Sequence, residues 1–166
     1  MKYVMAPTDS DSDGCLRFCL SEVDKSFANA LRRTLLGNLP IQVFKPADCV
    51  ITLNTTRFTN EIIQARLACI PIPHLLGRAD TCSITLKEKN TSKDLHHVTT
   101  KHFHATSKDP EFKPTFMPTN IEGFRLSYID FLRLRPGEDI DLTATSSIGT
   151  ANESGMFNSV GTCAFG

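Results

Sequence analysis

Between Asp24 and Pro40 the chain carries Phe-Ala-Asn-Ala-Leu-Arg-Arg-Thr-Leu-Leu (27–36), whose bulky residues Phe27, Leu31 and Leu35 recur every four positions. That spacing returns each side chain to the same face of a 3.6-residue turn, so the segment reads as a helix and not a strand. Asp24 can accept from the free amides of the first turn, and Gly37 with Pro40 supplies the stop. Asn29, Arg32, Arg33 and Leu36 fall on the opposite side, at i, i+3, i+4 and i+7. Both faces therefore look occupied. One can pack on a sheet or a partner helix, and the other presents two guanidiniums either to water or to a second protein, where Arg is enriched.

Helical period returns over residues 60–70, with Ile63, Leu67 and Ile70 on one stripe, and Pro71 and Pro73 forbid its continuation. The remaining texture is β. Residues 15–20 alternate, with Leu16, Phe18 and Leu20 on one face, and predict a first strand. Further strand patterns lie at 41–44, 49–53, 82–86, 97–105 and 123–134, the first two separated by Lys45-Pro-Ala-Asp48. Arg135-Pro-Gly-Glu138 is a turn signal, because Pro presets φ and Gly accepts φ > 0. With Ile140, Leu142 and Ala144 alternating after it, residues 129–144 are expected to form a hairpin. The Gly/Ser/Asn-rich tail from Ser146 is expected to be a loop entering one last short strand. Residues 1–14, polar and acidic, read as a flexible arm, and no internal repeat stands out.

At 40% hydrophobic and 22% charged over 166 residues, the chain has the composition of one or two small cored domains. Eighteen basic against eighteen acidic residues give no broad positive field, which disfavours direct sequence-specific DNA binding. No segment has the apolar length of a membrane span or a signal-peptide core, so a soluble intracellular protein is expected, in nucleus or cytoplasm. Its six cysteines (15, 19, 49, 69, 82 and 163) lack paired short spacings and are expected to be free and mostly buried thiols. The Asn-x-Ser/Thr sequons at Asn54, Asn90 and Asn152 then read as chance.

Three constellations could carry other chemistry. Asp9-Ser-Asp11-Ser-Asp13-Gly14 matches the first half of a calcium loop, but the twelfth position is Leu20 and not a bidentate glutamate. His96, His97, His102 and His104 cluster, and His102-Phe-His104 would set two imidazoles on one strand face, a possible zinc site with no cysteine near. A Cys–His pair is conceivable among these residues, yet no nucleophile elbow, phosphate loop or Cys-x-x-Cys is present. No metal, cofactor or catalytic residue is therefore expected.

The first helix and the segment after it carry a resemblance. Phe18-Cys-Leu-Ser-Glu-Val-Asp-Lys-Ser-Phe-Ala-Asn29-Ala-Leu31-Arg32-Arg33, then Asn54-Thr-Thr, Glu61 and Arg66-Leu-Ala-Cys-Ile-Pro-Ile72, closely resembles the assembly subunit of multisubunit RNA polymerases. That family comprises the archaeal D-type and eukaryotic third-largest subunits, with bacterial alpha a more distant relative. The likeness is strong over 15–73 and weaker over 124–165. It implies an α+β fold, a discontinuous alpha-like dimerisation domain interrupted by a mostly β insertion domain. The expected divisions are 15–58 for the first half of the dimerisation domain, 59–160 for the insertion, and 161–166 for the start of the returning segment. The remainder of that segment would lie past residue 166 or on another polypeptide.

The resemblance also implies the role. The chain is expected to be a non-catalytic assembly subunit that pairs with a smaller alpha-like subunit and docks the second-largest polymerase subunit. Phe27, Ala28, Leu31, Leu35 and Leu36 are assigned to dimerisation and packing; Asn29, Arg32, Arg33, Arg66, Phe157 and Ser159 to the large-subunit interface. Two features depart from the family. Only Cys82 lies where several members carry a four-cysteine metal or cluster motif, and the normally basic late loop has no Lys or Arg between Ser146 and Ser159. A divergent polymerase, such as one of a large DNA virus, with a viral factory or virion as its site, would account for both. The alternatives from other classes are a stand-alone metal-binding or thiol enzyme using the His/Cys residues and a generic adaptor domain.

Overall fold

A computed structural model describes residues 16–72, 82–107, 116 and 127–166. The acidic arm, the calcium-like Asp9–Gly14 run and most of the loop before Pro118 lie outside the described residues. In chain order the elements are α1 (Lys25–Gly37), β1 (Ile41–Val43), β2 (Cys49–Asn54), α2 (Asn60–Ala68), β3 (Cys82–Lys89) and β4 (His96–Thr99). After them come β5 (His104–Ser107), β6 (Asp130–Leu134), β7 (Asp139–Thr145) and β8 (Ser147–Gly149). The mixture is α+β.

An antiparallel four-stranded sheet, in the order β2-β7-β3-β5, forms the centre. Leu142 lies opposite Ile51 on one side and Leu86 on the other, and Ala144 lies between Cys49 and Ile84. Alternation along β3 and β7 thus lines one face with apolar side chains. α2 covers it: Ile63, Leu67 and Ile70, the stripe that the helical period marks, are all buried in the same cluster. Fully burying such a side chain contributes about 1.5–3 kcal/mol. The β4–β6 ribbon adds Val98, Phe131, Leu132 and Leu134, and Phe103 meets the rings of Phe116 and Phe131 edge-on at 5.4 and 5.3 Å. The other sheet face is polar, with Lys87 paired to Asp141 at 3.3 Å. A register shift between Ile51 and Leu53 breaks the alternation of β2 and turns Leu53 outward opposite Asp141, where it is 45% exposed.

Two asparagines close the ends of the strands beside β7 in the same way. Asn54 Oδ1 accepts from the backbone and hydroxyl of Thr56, and its Nδ2 donates to the Phe58 carbonyl at 2.9 Å. Asn90 Oδ1 accepts from the backbone and hydroxyl of Ser92, and its Nδ2 donates to the Asp94 carbonyl at 2.8 Å. The segments Asn54-Thr-Thr-Arg-Phe58 and Asn90-Thr-Ser-Lys-Asp94 are therefore a local repeat that the primary sequence hides in its polar residues.

Several strand expectations are corrected. Over 16–20 the backbone makes only an isolated bridge at Arg17, not a strand. The run 97–105 is not one strand: a 3-10 turn at Thr100–His102 divides it, so that β4 pairs with β6 and β5 with β3. His102 and His104 consequently do not share a strand face. The 129–144 hairpin does not form either, although its turn does. Gly137 has φ of 84° and Glu138 N–H donates to Arg135 O at 3.0 Å. The two arms nevertheless go to different sheets, β6 to β4 and β7 to β2 and β3, because Asn90 takes the turn's backbone groups for itself. In the tail, Ser147–Gly149 forms β8 against β1, and residues 158–166 contain no strand. Of the five described cysteines only Cys49 and Cys82 are buried, against the expectation of mostly buried thiols.

Candidate protein-docking surface

Helix α1 begins as its sequence dictates. Asp24 Oδ2 accepts from the Ser26 N–H at 3.2 Å, and its contact with the Ser26 hydroxyl and backbone holds the carboxyl below the usual range. The helix ends at Gly37, with the Asn38 N–H donating to Thr34 O at 2.9 Å. None of its thirteen residues is buried. Ala28, Leu31, Leu35 and Leu36 are half-buried and Phe27 is 38% exposed. A stripe of this type is buried in a folded core, as the stripe of α2 is; among the described residues none of the α1 side chains joins either buried apolar cluster.

On the opposite side Arg32 donates through Nε at 3.2 Å and Nη2 at 3.0 Å to Asn29 Oδ1, so Asn29 orients that guanidinium along the helix. Arg33 is exposed. Arg66 stands elsewhere, on α2. Its Nε donates to the Phe131 carbonyl at 2.8 Å and its guanidinium lies 6.0 Å from the Phe58 ring centre, which fastens α2 to β6. Phe157 is 4% exposed and packs with Val43, Ala68 and Ile41 beneath the late loop, so it shapes that loop from below. Ser159 is exposed, as is Met156 one residue before Phe157. The structure thus separates the six residues assigned to one interface into three places: α1, the α2–β6 junction and the late loop.

His96 and His102 make contacts within the fold. His102 Nδ1 accepts from the Thr99 N–H at 3.0 Å, His96 Nε2 lies 3.2 Å from Glu88 Oε2, and the His96 and His102 rings meet edge-on at 5.5 Å. Among the described residues no three His, Cys, Asp or Glu side chains converge to hold a metal. Burial pushes the Cys49 thiol up to about 11 and also raises that of Cys82, which leaves both protonated and unreactive at neutral pH. All three sequon asparagines use their side-chain nitrogens inside the fold, Asn152 through the Asn38 oxygen. No helix among the described residues is long and apolar enough to cross a membrane.

Asn152 is a residue whose importance its sequence surroundings conceal. Its backbone N–H donates to Gly37 O at 3.1 Å, joining the late loop to a helix end from the other extreme of the chain. The sequon was its one signal in the sequence.

No protein-family model matches the chain. Among curated proteins it is 31% identical over 131 residues to the DNA-directed RNA polymerase subunit Rpo3 of Pyrococcus furiosus, covering 75% of this chain and 49% of that protein. It is 27% identical over 166 residues to Rpo3 of Methanosphaera stadtmanae, covering 89% and 55%, and 25% identical over 168 residues to that of Archaeoglobus fulgidus, covering 93% and 58%. The chain spans about half the length of the curated relatives it matches. Through most of its residues the chain is thus similar to the archaeal Rpo3 subunits of DNA-directed RNA polymerase.

Proposed function

We propose that this chain is a non-catalytic assembly subunit of a DNA-directed RNA polymerase in transcription. The apolar stripe of α1 pairs with a smaller alpha-like subunit, and the Arg32/Arg33 side with the late loop docks the second-largest subunit. The observation that carries this reading is α1 itself, a capped helix of thirteen residues with no buried side chain. An isolated helix of that length is marginal in water and gains its stability from covering an amphipathic face. A partner helix supplies that cover. In this reading residues 15–58 begin a discontinuous dimerisation domain and 59–160 are its insertion, with β2 of the first sharing a sheet with β3, β5 and β7 of the second. The raised Cys49 and Cys82 thiols support a non-catalytic role by removing two nucleophiles, and zero net charge supports docking on protein and not DNA. The protein would act inside the cell.

Co-expression with the alpha-like and second-largest subunits, followed by affinity capture on this chain, tests the proposal. Both subunits should be retained, and Arg33→Ala should keep the smaller one while losing most of the larger. An Arg at the centre of such an interface costs about 2 kcal/mol or more on truncation. Retention of neither subunit by the unmodified chain would sink the reading.

A further inference from the structure

The late loop and α1 are not independent. The Asn152 backbone N–H donates to Gly37 O at 3.1 Å and its Nδ2 donates to the Asn38 side-chain oxygen. The fit is close enough that a Cβ on Gly37 would lie 2.7 Å from Asn152 Oδ1. One residue on, Lys45 Nζ donates to Glu153 Oε2 at 2.7 Å. The far side of the loop is equally constrained: a Cβ on Gly149 would meet Val43 Cγ2 at 2.8 Å and the buried Phe157 ring at 2.9 Å. The last turn of a helix with no buried residue is thereby gripped from outside by a loop that is itself anchored through Phe157.

We infer that Asn152 is a positioning residue that locks the C-terminal turn of α1 to the 150–157 loop, so that both meet the second-largest polymerase subunit as one preassembled unit. The inference rests on the proposed docking role for its partner. Its physical basis is that a loop ordered in advance loses no freedom on binding, whereas an untethered one must be ordered at that moment. The apolar stripe of α1 takes no part, so pairing with the smaller subunit should be indifferent to Asn152.

The test uses the chain co-expressed with the smaller alpha-like subunit and compares Asn152→Ala with Arg33→Ala. In Asn152→Ala, amide hydrogen exchange should quicken at Asn38 and across 150–157 while β3 and β7 keep their protection, and affinity for the second-largest subunit should fall roughly tenfold. Unchanged exchange at those positions would overturn the clamp whatever happens to docking. Faster exchange with unchanged affinity, in a background where Arg33→Ala does weaken docking, would overturn the positioning role and leave the assembly reading intact. If neither substitution alters docking, the assembly reading fails and the inference with it. Should Asn152→Ala not fold, Gly37→Ala gives the same readings, because the added methyl displaces the Asn152 amide while favouring the helix.

Discussion

Asn90 Nδ2 donates to the Leu134 carbonyl at 2.9 Å, joining the end of β3 to the end of β6, two strands that share no sheet. The Asn90 backbone completes the junction by donating to Glu138 O at 2.9 Å and accepting from the Gly137 N–H at 2.8 Å. A polar residue only 2% exposed thus decides where the chain leaves one sheet for the other. Removing its side chain strands two carbonyls. Asn90→Ala should lower stability by about 1–3 kcal/mol, read as a reduced urea midpoint at unchanged slope, and Asn54→Ala, at the more exposed twin loop, should lower it less. Equal costs at the two positions would mean that burial is not what makes Asn90 matter.

Arg66 offers a choice between a structural and an interfacial role. Its bond to the Phe131 carbonyl predicts that Arg66→Ala costs about 0.5–1.5 kcal/mol in the uncomplexed chain and speeds exchange along β6. Arg66→Lys should recover little, since a lysine cannot direct an Nε donor while lying beside the Phe58 ring. A stable Arg66→Ala protein that fails only in subunit capture would move the residue to an interface.

Leu35 and Leu67 are both helical leucines, yet one is half-buried and the other is not exposed at all. Leu67→Ala should cost about 2–5 kcal/mol as a core cavity. Leu35→Ala should change unfolding by less than about 1 kcal/mol and instead abolish capture of the smaller subunit. A Leu35→Ala protein that melts like Leu67→Ala would show that the stripe belongs to this chain's own core.

The Glu153 carboxyl is held below the ordinary glutamate value of 4.5, first by its hydrogen bond from Lys45. A depressed carboxylate stabilises the fold above the unfolded value and loses that contribution as pH falls through the folded one. Protection of the 150–157 amides, corrected for intrinsic exchange, should therefore be constant above that range and weaken on acidification below it. Carbon-detected titration of Glu153 should give a midpoint that rises toward the ordinary value in Lys45→Met, the hydrogen bonds from Thr150 still holding part of the depression. The same midpoint in both proteins would show that the contact is absent in solution.

Both helices were legible because helix information is local: the four-residue recurrence in 27–36, the Asp24 cap and the Ile63/Leu67/Ile70 stripe each lie within a few turns of the bonds they direct. Strand existence at β2, β3 and β7 was legible for the same reason, through alternation. Pairing was not. The Pro-Gly turn at 136–137 formed as its residues require, yet the hairpin it suggests was overridden by Asn90, 44 positions before Leu134. Likewise Ser146, buried where β7 gives way to β8, exchanges hydrogen bonds with Cys82 that no local pattern contains. Residue order alone thus specifies the helices and their faces. That α1 lies outside the core, and that the late loop holds its end, emerges only on folding, because both depend on which distant backbone groups become partners.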